Sequence, residues 1–171
     1  MLPELLDAAR FGRTEEVEAL LRLDLDVNWQ DDYGFTALHL AARWDHLQVV
    51  KLLLQHSTTD VNAKGKGGFT PFSQSCFRGT VSVVCELLRD PLVDIILAED
   101  YECTPLWWAS SQGHYKVIEL LIASGRDLGD LGKKRISGSD GVSLAERTSL
   151  LIFEGLFIFL LVSIDLQFVF C

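Results

Sequence analysis

The side chains of this chain with the means for metal, nucleophilic or phosphate chemistry are four histidines, four cysteines and one glycine-rich loop around a lysine. Imidazoles hold zinc when three or four ligands converge on one point. His46 and His114 instead open equivalent apolar segments far apart in the chain, and His39 follows Thr36 by three residues, a spacing that suits a structural hydrogen-bond network with the hydroxyl. With His56 they are repeated positions of a pattern and no cluster. Cys76, Cys85, Cys103 and Cys171 form neither a C-x-x-C pair nor a zinc-ligand spacing. Gly65-Lys66-Gly67-Gly68 could cradle a phosphate, yet it lacks the spacing of a phosphate-binding loop and no suitable strand precedes it. No Ser/His/Asp set or carboxylate pair stands out from the acidic background. The sequence predicts no catalysis, no cofactor and no metal centre.

The elements that carry these residues repeat. Thr36-Ala37-Leu38-His39, Thr70-Pro71-Phe72-Ser73 and Thr104-Pro105-Leu106-Trp107 each open an apolar helical segment, and a partial copy at Leu2-Pro3-Glu4-Leu5 lies upstream, giving spacings of 33 and then 34 residues. Val49-Val50, Val83-Val84 and Val117-Ile118 form a second column, and Asp26, Asp60, Asp94 and Asp127 a third. A fixed period of this size predicts stacked supersecondary units, none of which buries its apolar face alone. Residues 26–57 give the clearest unit. A polar turn containing Gly34 leads to Thr36, placed to cap a helix over Leu38, Leu40 and Ala41-Ala42. Asp45-His46 then marks a break, at which the other copies hold Gly12, Gly79 and Gly113, a residue suited to left-handed helix ends. A second helix with one apolar face follows from Val49 to Leu54.

These residues resemble the ankyrin repeat family, whose glycine turn, T-P-L-H-x-A-A run, G-H break and V-V-x-L-L-L run are met closely from Gly34 to Leu54. The third copy departs at Ser73 and Ser75-Cys76, and the fourth at Glu102 and Trp107. The resemblance covers about residues 1–130 and implies an all-α ankyrin-repeat solenoid of about four helix-turn-helix repeats with short hairpin turns and a degenerate C-terminal repeat. It further implies a protein-binding adaptor or scaffold that presents a preformed concave surface, with partners gripped by hairpin tips and by the ends of first helices. Carried onto this chain, the contact positions are Tyr33, Phe35, Lys66, Phe69, Asp100 and Tyr101 at the tips, and Arg43, Trp44, Phe77, Arg78, Ser111 and Gln112 on the helices. Aromatic residues and arginine, types enriched at interface hot spots, dominate this set. Trp107 is expected in the core, in place of a buried histidine, and Trp108 in an exposed or inter-helix slot.

A formal net charge of -9 argues against a nucleic-acid surface. Residues 1–32 hold nine acids against three arginines, which would attract a basic partner segment. Unpaired cysteines and an acidic, amphipathic start predict a reducing, cytoplasmic setting without a signal peptide. Residues 131–149 read as a loop and a damaged fifth repeat, with Lys133-Lys134-Arg135 on a solvated loop. From Leu150 to Cys171 the chain turns apolar and phenylalanine-rich, interrupted by Glu154 and Asp165. Three readings of that tail stand side by side: an anchor that makes the chain a membrane-tethered regulator, an apolar strap over the open end of the stack, or the end of a truncated or mispredicted product; a fragment of a larger multidomain ankyrin protein is the further alternative. Membrane contact is expected only through residues 150–171.

Overall fold

The computed structural model describes residues 2–100 and 102–128. The expectations placed on 131–149 and 150–171 lie outside the described residues, as does Tyr101. Eight α-helices make up the described architecture, and it contains no strand: α1 Leu2–Arg10, α2 Thr14–Leu21, α3 Ala37–Arg43, α4 Leu47–Gln55, α5 Pro71–Arg78, α6 Val81–Arg89, α7 Pro105–Ser111 and α8 Tyr115–Ala123. Odd and even helices pair within each unit. Between units, α1, α3, α5 and α7 pack in one inner row, and α2, α4, α6 and α8 in an outer row. This is the expected all-α stack of four helix-turn-helix units.

The threonines set the inner helices. Thr36 and Thr70 accept from the backbone amides of His39 and Ser73, and the side chains of His39 and Ser73 accept in return from the threonine amides. Thr104 accepts from the Trp107 amide, without the return bond. Each cap satisfies donors that the first turn of a helix leaves free. Between the rows lies the core: Leu5, Leu38, Phe72 and Leu106 from the inner helices meet Val17, Val49-Val50, Val83-Val84 and Val117-Ile118 from the outer ones. Burying each such side chain contributes about 1.5–3 kcal/mol. A unit alone leaves one side of these residues wet, so the stack is what stabilises it.

Neighbouring units are also joined by backbone ties that repeat. His46 Nε2 bonds the Arg10 carbonyl at 2.9 Å, and His114 Nε2 bonds the Phe77 carbonyl at 3.0 Å. At the equivalent place, Thr80 Oγ1 donates to the Ala42 carbonyl at 3.1 Å. Asn28 Nδ2 donates to the Thr58 carbonyl at 2.7 Å and its Oδ1 accepts from the Asp60 amide at 2.8 Å. Asn62 repeats both bonds, to Leu92 and Asp94, at 2.7 and 2.8 Å. The aspartate column caps turns, since Asp26, Asp60 and Asp94 accept from the amides two residues on. Beyond Asn62 the ladder changes. Ile96 holds the asparagine place and is exposed, while Arg126 donates to the carbonyls of Asp90 and Val93.

Candidate interaction groove

The loops between units form short fingers. In the first, the Asp31 amide donates to the Phe35 carbonyl at 3.1 Å, and Asp31 Oδ1 accepts from the amides of Tyr33 and Phe35 at 2.9 and 2.8 Å. The second finger closes by Gly65 to Phe69 at 2.8 Å, the third by Glu99 to Cys103 at 3.3 Å. Fingers join edge to edge: the Lys66 amide donates to the Tyr33 carbonyl, and the Asp100 amide to that of Gly67, at 2.8 and 3.0 Å. Glu102 occupies left-handed space at φ 60°, where the first finger has Gly34 at φ 71°. This ladder holds the tip side chains in a row beside the C-terminal ends of the inner helices.

Four of the sequence-selected residues, Tyr33, Phe35, Arg43 and Trp44, meet around one cleft of about 280 Å³, together with Arg10, Asp31 and Leu40. The Arg43 guanidinium carbon lies 6.0 Å from the Phe35 ring centre and 5.9 Å from that of Trp44. Arg78 lies 5.7 Å from the Trp44 ring centre and 5.6 Å from that of Phe77. Trp44 is therefore an indole with two arginines beside it, and it remains 49% exposed. Above it, Lys66 Nζ sits 5.7 Å from the Tyr33 ring, itself 59% exposed. Arginine and lysine over aromatic faces are attracted by the ring quadrupole. Burial first, and then the positive charges of Arg78 and Arg10, lower the Arg43 pKa from its ordinary value.

Phe69 and Phe77 belong to a second group. Their ring centres are 6.4 Å apart, and Trp108 lies 5.4 Å from Phe69 and 5.1 Å from Phe77 in tilted and edge-on arrangements. Trp108 thus fills an inter-unit slot, and Trp107 packs edge-on to it at 4.8 Å. The expectation of a core Trp107 is modified here, because the residue is only half-buried, while Leu106 is buried as Leu38 and Phe72 are at the same position of their units. Ser111 and Gln112 stand at the end of α7, outside the ring contacts of both groups. Ser111 Oγ donates to the Trp108 carbonyl at 3.0 Å, and Gln112 is exposed. Asp100 is exposed at its finger, and Tyr101 lies outside the described residues.

Sequence reasoning passed over Arg10 and Phe11. They occupy in the first unit the positions of Arg43-Trp44 and Phe77-Arg78, a column legible at the repeat spacing. Phe11 is 63% exposed and shares an open cleft with Arg10, Trp44 and His46. Each of the histidines named at the outset but His56 is tied to a backbone carbonyl, and among the described residues no group of histidine, cysteine and carboxylate side chains could hold a metal ion. His39 is the most constrained. Its Nδ1 accepts from the Thr36 amide at 3.1 Å, so Nε2 carries the proton and donates to the Phe69 carbonyl at 2.9 Å. Desolvation by burial lowers its pKa to about 4. Cys76 is buried and its thiol is pushed up by desolvation, which keeps it a protonated core residue.

Two family models match the chain, ankyrin repeats in three copies over residues 5–65 and an ankyrin repeat over residues 101–133. Neither match includes 66–100, the unit in which serine and cysteine replace the usual histidine and alanines, yet its α5 and α6 keep their places in both rows. The chain is 30% identical over 125 residues to the human neurogenic locus notch homolog protein 2, covering 72% of this chain and 5% of that protein. It is likewise 30% identical over 118 residues to the mouse neurogenic locus notch homolog protein 1, covering 69% and 5%. The human SMC5-SMC6 complex localization factor protein 1 is 38% identical over 93 residues, 54% of this chain and 9% of that protein. The chain thus spans about a twentieth of the length of the notch relatives it matches.

Proposed function

Because this chain belongs to the ankyrin repeat family, a family of protein-interaction modules, we propose that it is a non-catalytic adaptor that binds a partner protein in the groove around Trp44. One observation carries the reading: a half-exposed tryptophan on the stack has two guanidiniums, from different units, 5.9 and 5.7 Å from its ring centre. Large apolar rings left in water on a preformed surface are the groups whose desolvation drives association. The groove is pre-ordered by the finger ladder, so binding avoids the entropy of ordering a loop. Tyr33, Phe35, Arg43, Trp44, Phe77 and Arg78 form its centre in this proposal. Lys66 and Phe69 flank it, Asp100, Ser111 and Gln112 extend it toward the fourth unit, and Tyr101 joins the proposed set by its sequence position alone. The compartment proposed for this role is the cytoplasm.

The test is affinity capture from the native cell's lysate with the full chain and with a variant carrying Arg43→Ala, Trp44→Ala, Phe77→Ala and Arg78→Ala. Circular dichroism must first show both to be equally helical. A protein retained by the wild type and lost from the variant supports the groove. Equal retention by two folded baits moves the site elsewhere.

A further inference from the structure

The chain as a whole is acidic, with a formal net charge of -9, but the groove is not. Arg10, Arg43 and Arg78 recur at the same end of α1, α3 and α5, and none of them forms an ion pair among the described residues. The arginines that do pair lie elsewhere: Arg13 with Glu16, Arg22 with Glu18 and Arg89 with Glu86, all within three or four residues on the outer row and its edges. Arg43 and Arg78 both lie beside one indole, at 5.9 and 5.7 Å, and neither is ion-paired among the described residues. Lys66 adds a third charge at the neighbouring finger. The carboxylate lining this cleft is Asp31, whose Oδ1 already accepts two amides. Like charges gathered against an apolar surface are unfavourable in the free protein, and a partner carboxylate offsets that cost when it arrives.

We propose that the groove takes an acidic segment of a partner protein, with carboxylates over the Arg43 and Arg78 guanidiniums and an apolar or aromatic side chain against Trp44. The proposal rests on the protein-binding reading above and narrows it. Arginine suits this role because its planar fork pairs two ways with a carboxylate while its face stays on a ring. The acids of residues 1–32, which favour a basic segment, are spread over Glu4 and Asp7 on α1, Glu15, Glu16 and Glu18 on α2, and Asp24, Asp26, Asp31 and Asp32 in the loop that follows. Screening over about 8 Å at physiological salt limits the reach of the more distant of them to the guanidiniums.

A random peptide library panned on the immobilised full chain tests this. The expected pool is rich in aspartate and glutamate interleaved with apolar residues. Individual peptides should weaken at least about tenfold on Arg43→Gln with Arg78→Gln, and also at raised salt. Arg78→Glu alone, at an exposed position, gives the same readout in a chain whose fold is undisturbed. Neutral or basic peptides that are lost on Trp44→Ala would overturn the acidic assignment and leave groove binding standing. Peptides held equally by Trp44→Ala and the arginine variants, or no peptides at all, would overturn both. Heparin that binds as tightly, with no dependence on Trp44, would make this a general polyanion site and end the peptide assignment.

Discussion

The coupling between Asp45 and Thr80 offers a sharp test of how the units fit together. A Cβ built on Gly12 would stand 2.4 Å from His46 Nδ1, and one on Gly79 would stand 2.5 Å from His114 Nδ1. Real side chains do not tolerate such contacts, so the histidine of one unit demands glycine in the unit before it. Asp45 breaks the rule, with a side chain at φ 61°, and the next unit holds Thr80 where histidine would reach back. Thr80 leaves room for the Asp45 Cβ. Thr80→His alone should lose the bonds to Ala42 and Ser75 and drive the ring into that Cβ, costing about 2–3 kcal/mol. Asp45→Gly alone relieves about 1 kcal/mol of left-handed backbone and forfeits the Ser82 to Asp45 hydrogen bond, a nearly neutral exchange. Together the ring can bond the preceding unit as His46 and His114 do, and the pair should recover about 1.5–2 kcal/mol of the single-variant loss. Urea unfolding of the four full-length chains measures this. Effects that add to within about 0.5 kcal/mol would refute the steric argument.

His39 makes stability depend on pH. Its folded pKa of about 4 lies below the ordinary 6.5, so the unfolded chain binds the extra proton between those values, and the stabilisation present above 6.5 is lost on acidification toward 4. The stability difference between wild type and His39→Gln should shrink by about 3 kcal/mol over that window, by urea titration at each pH; a constant difference would contradict the assignment. Asn62→Ala removes both bonds of one rung of the asparagine ladder, and thermal unfolding should show a loss of about 1–3 kcal/mol, against under about 0.5 kcal/mol for the exposed Gln48→Ala.

The helices were legible because a threonine cap, an apolar run and a left-handed stop recur in register, and each is a local feature. Glu102 was legible as a departure from the turn glycine, and the backbone holds it in the left-handed region all the same. What joins one unit to the next was less visible. Asn28 and Asn62 recur in the sequence as plainly as the aspartates, but a polar residue in a turn has many possible uses. Only the partner carbonyls, some thirty residues away, show that they bind across units. The pairing of Asp45 with Thr80 needed the ring-to-Cβ contact before the two departures could be read as one. In the groove, Arg43, Trp44, Phe77 and Arg78 were legible as a group of helix-end residues. That Trp44 has the guanidiniums of two different units beside it depends on the stacking of α3 on α5. Trp107 stands in the register of the buried His39 but is only half-buried, edge-on to Trp108, a contact that the repeat pattern did not reveal.

Hydrogen–deuterium exchange of the full chain, with and without the captured partner, tests the central claim most directly. Binding in the groove predicts slowed exchange in the fingers around 31–35 and 64–69 and at the C-terminal ends of α3 and α5, with α2, α4 and α6 unchanged. Protection confined to the outer row would contradict it.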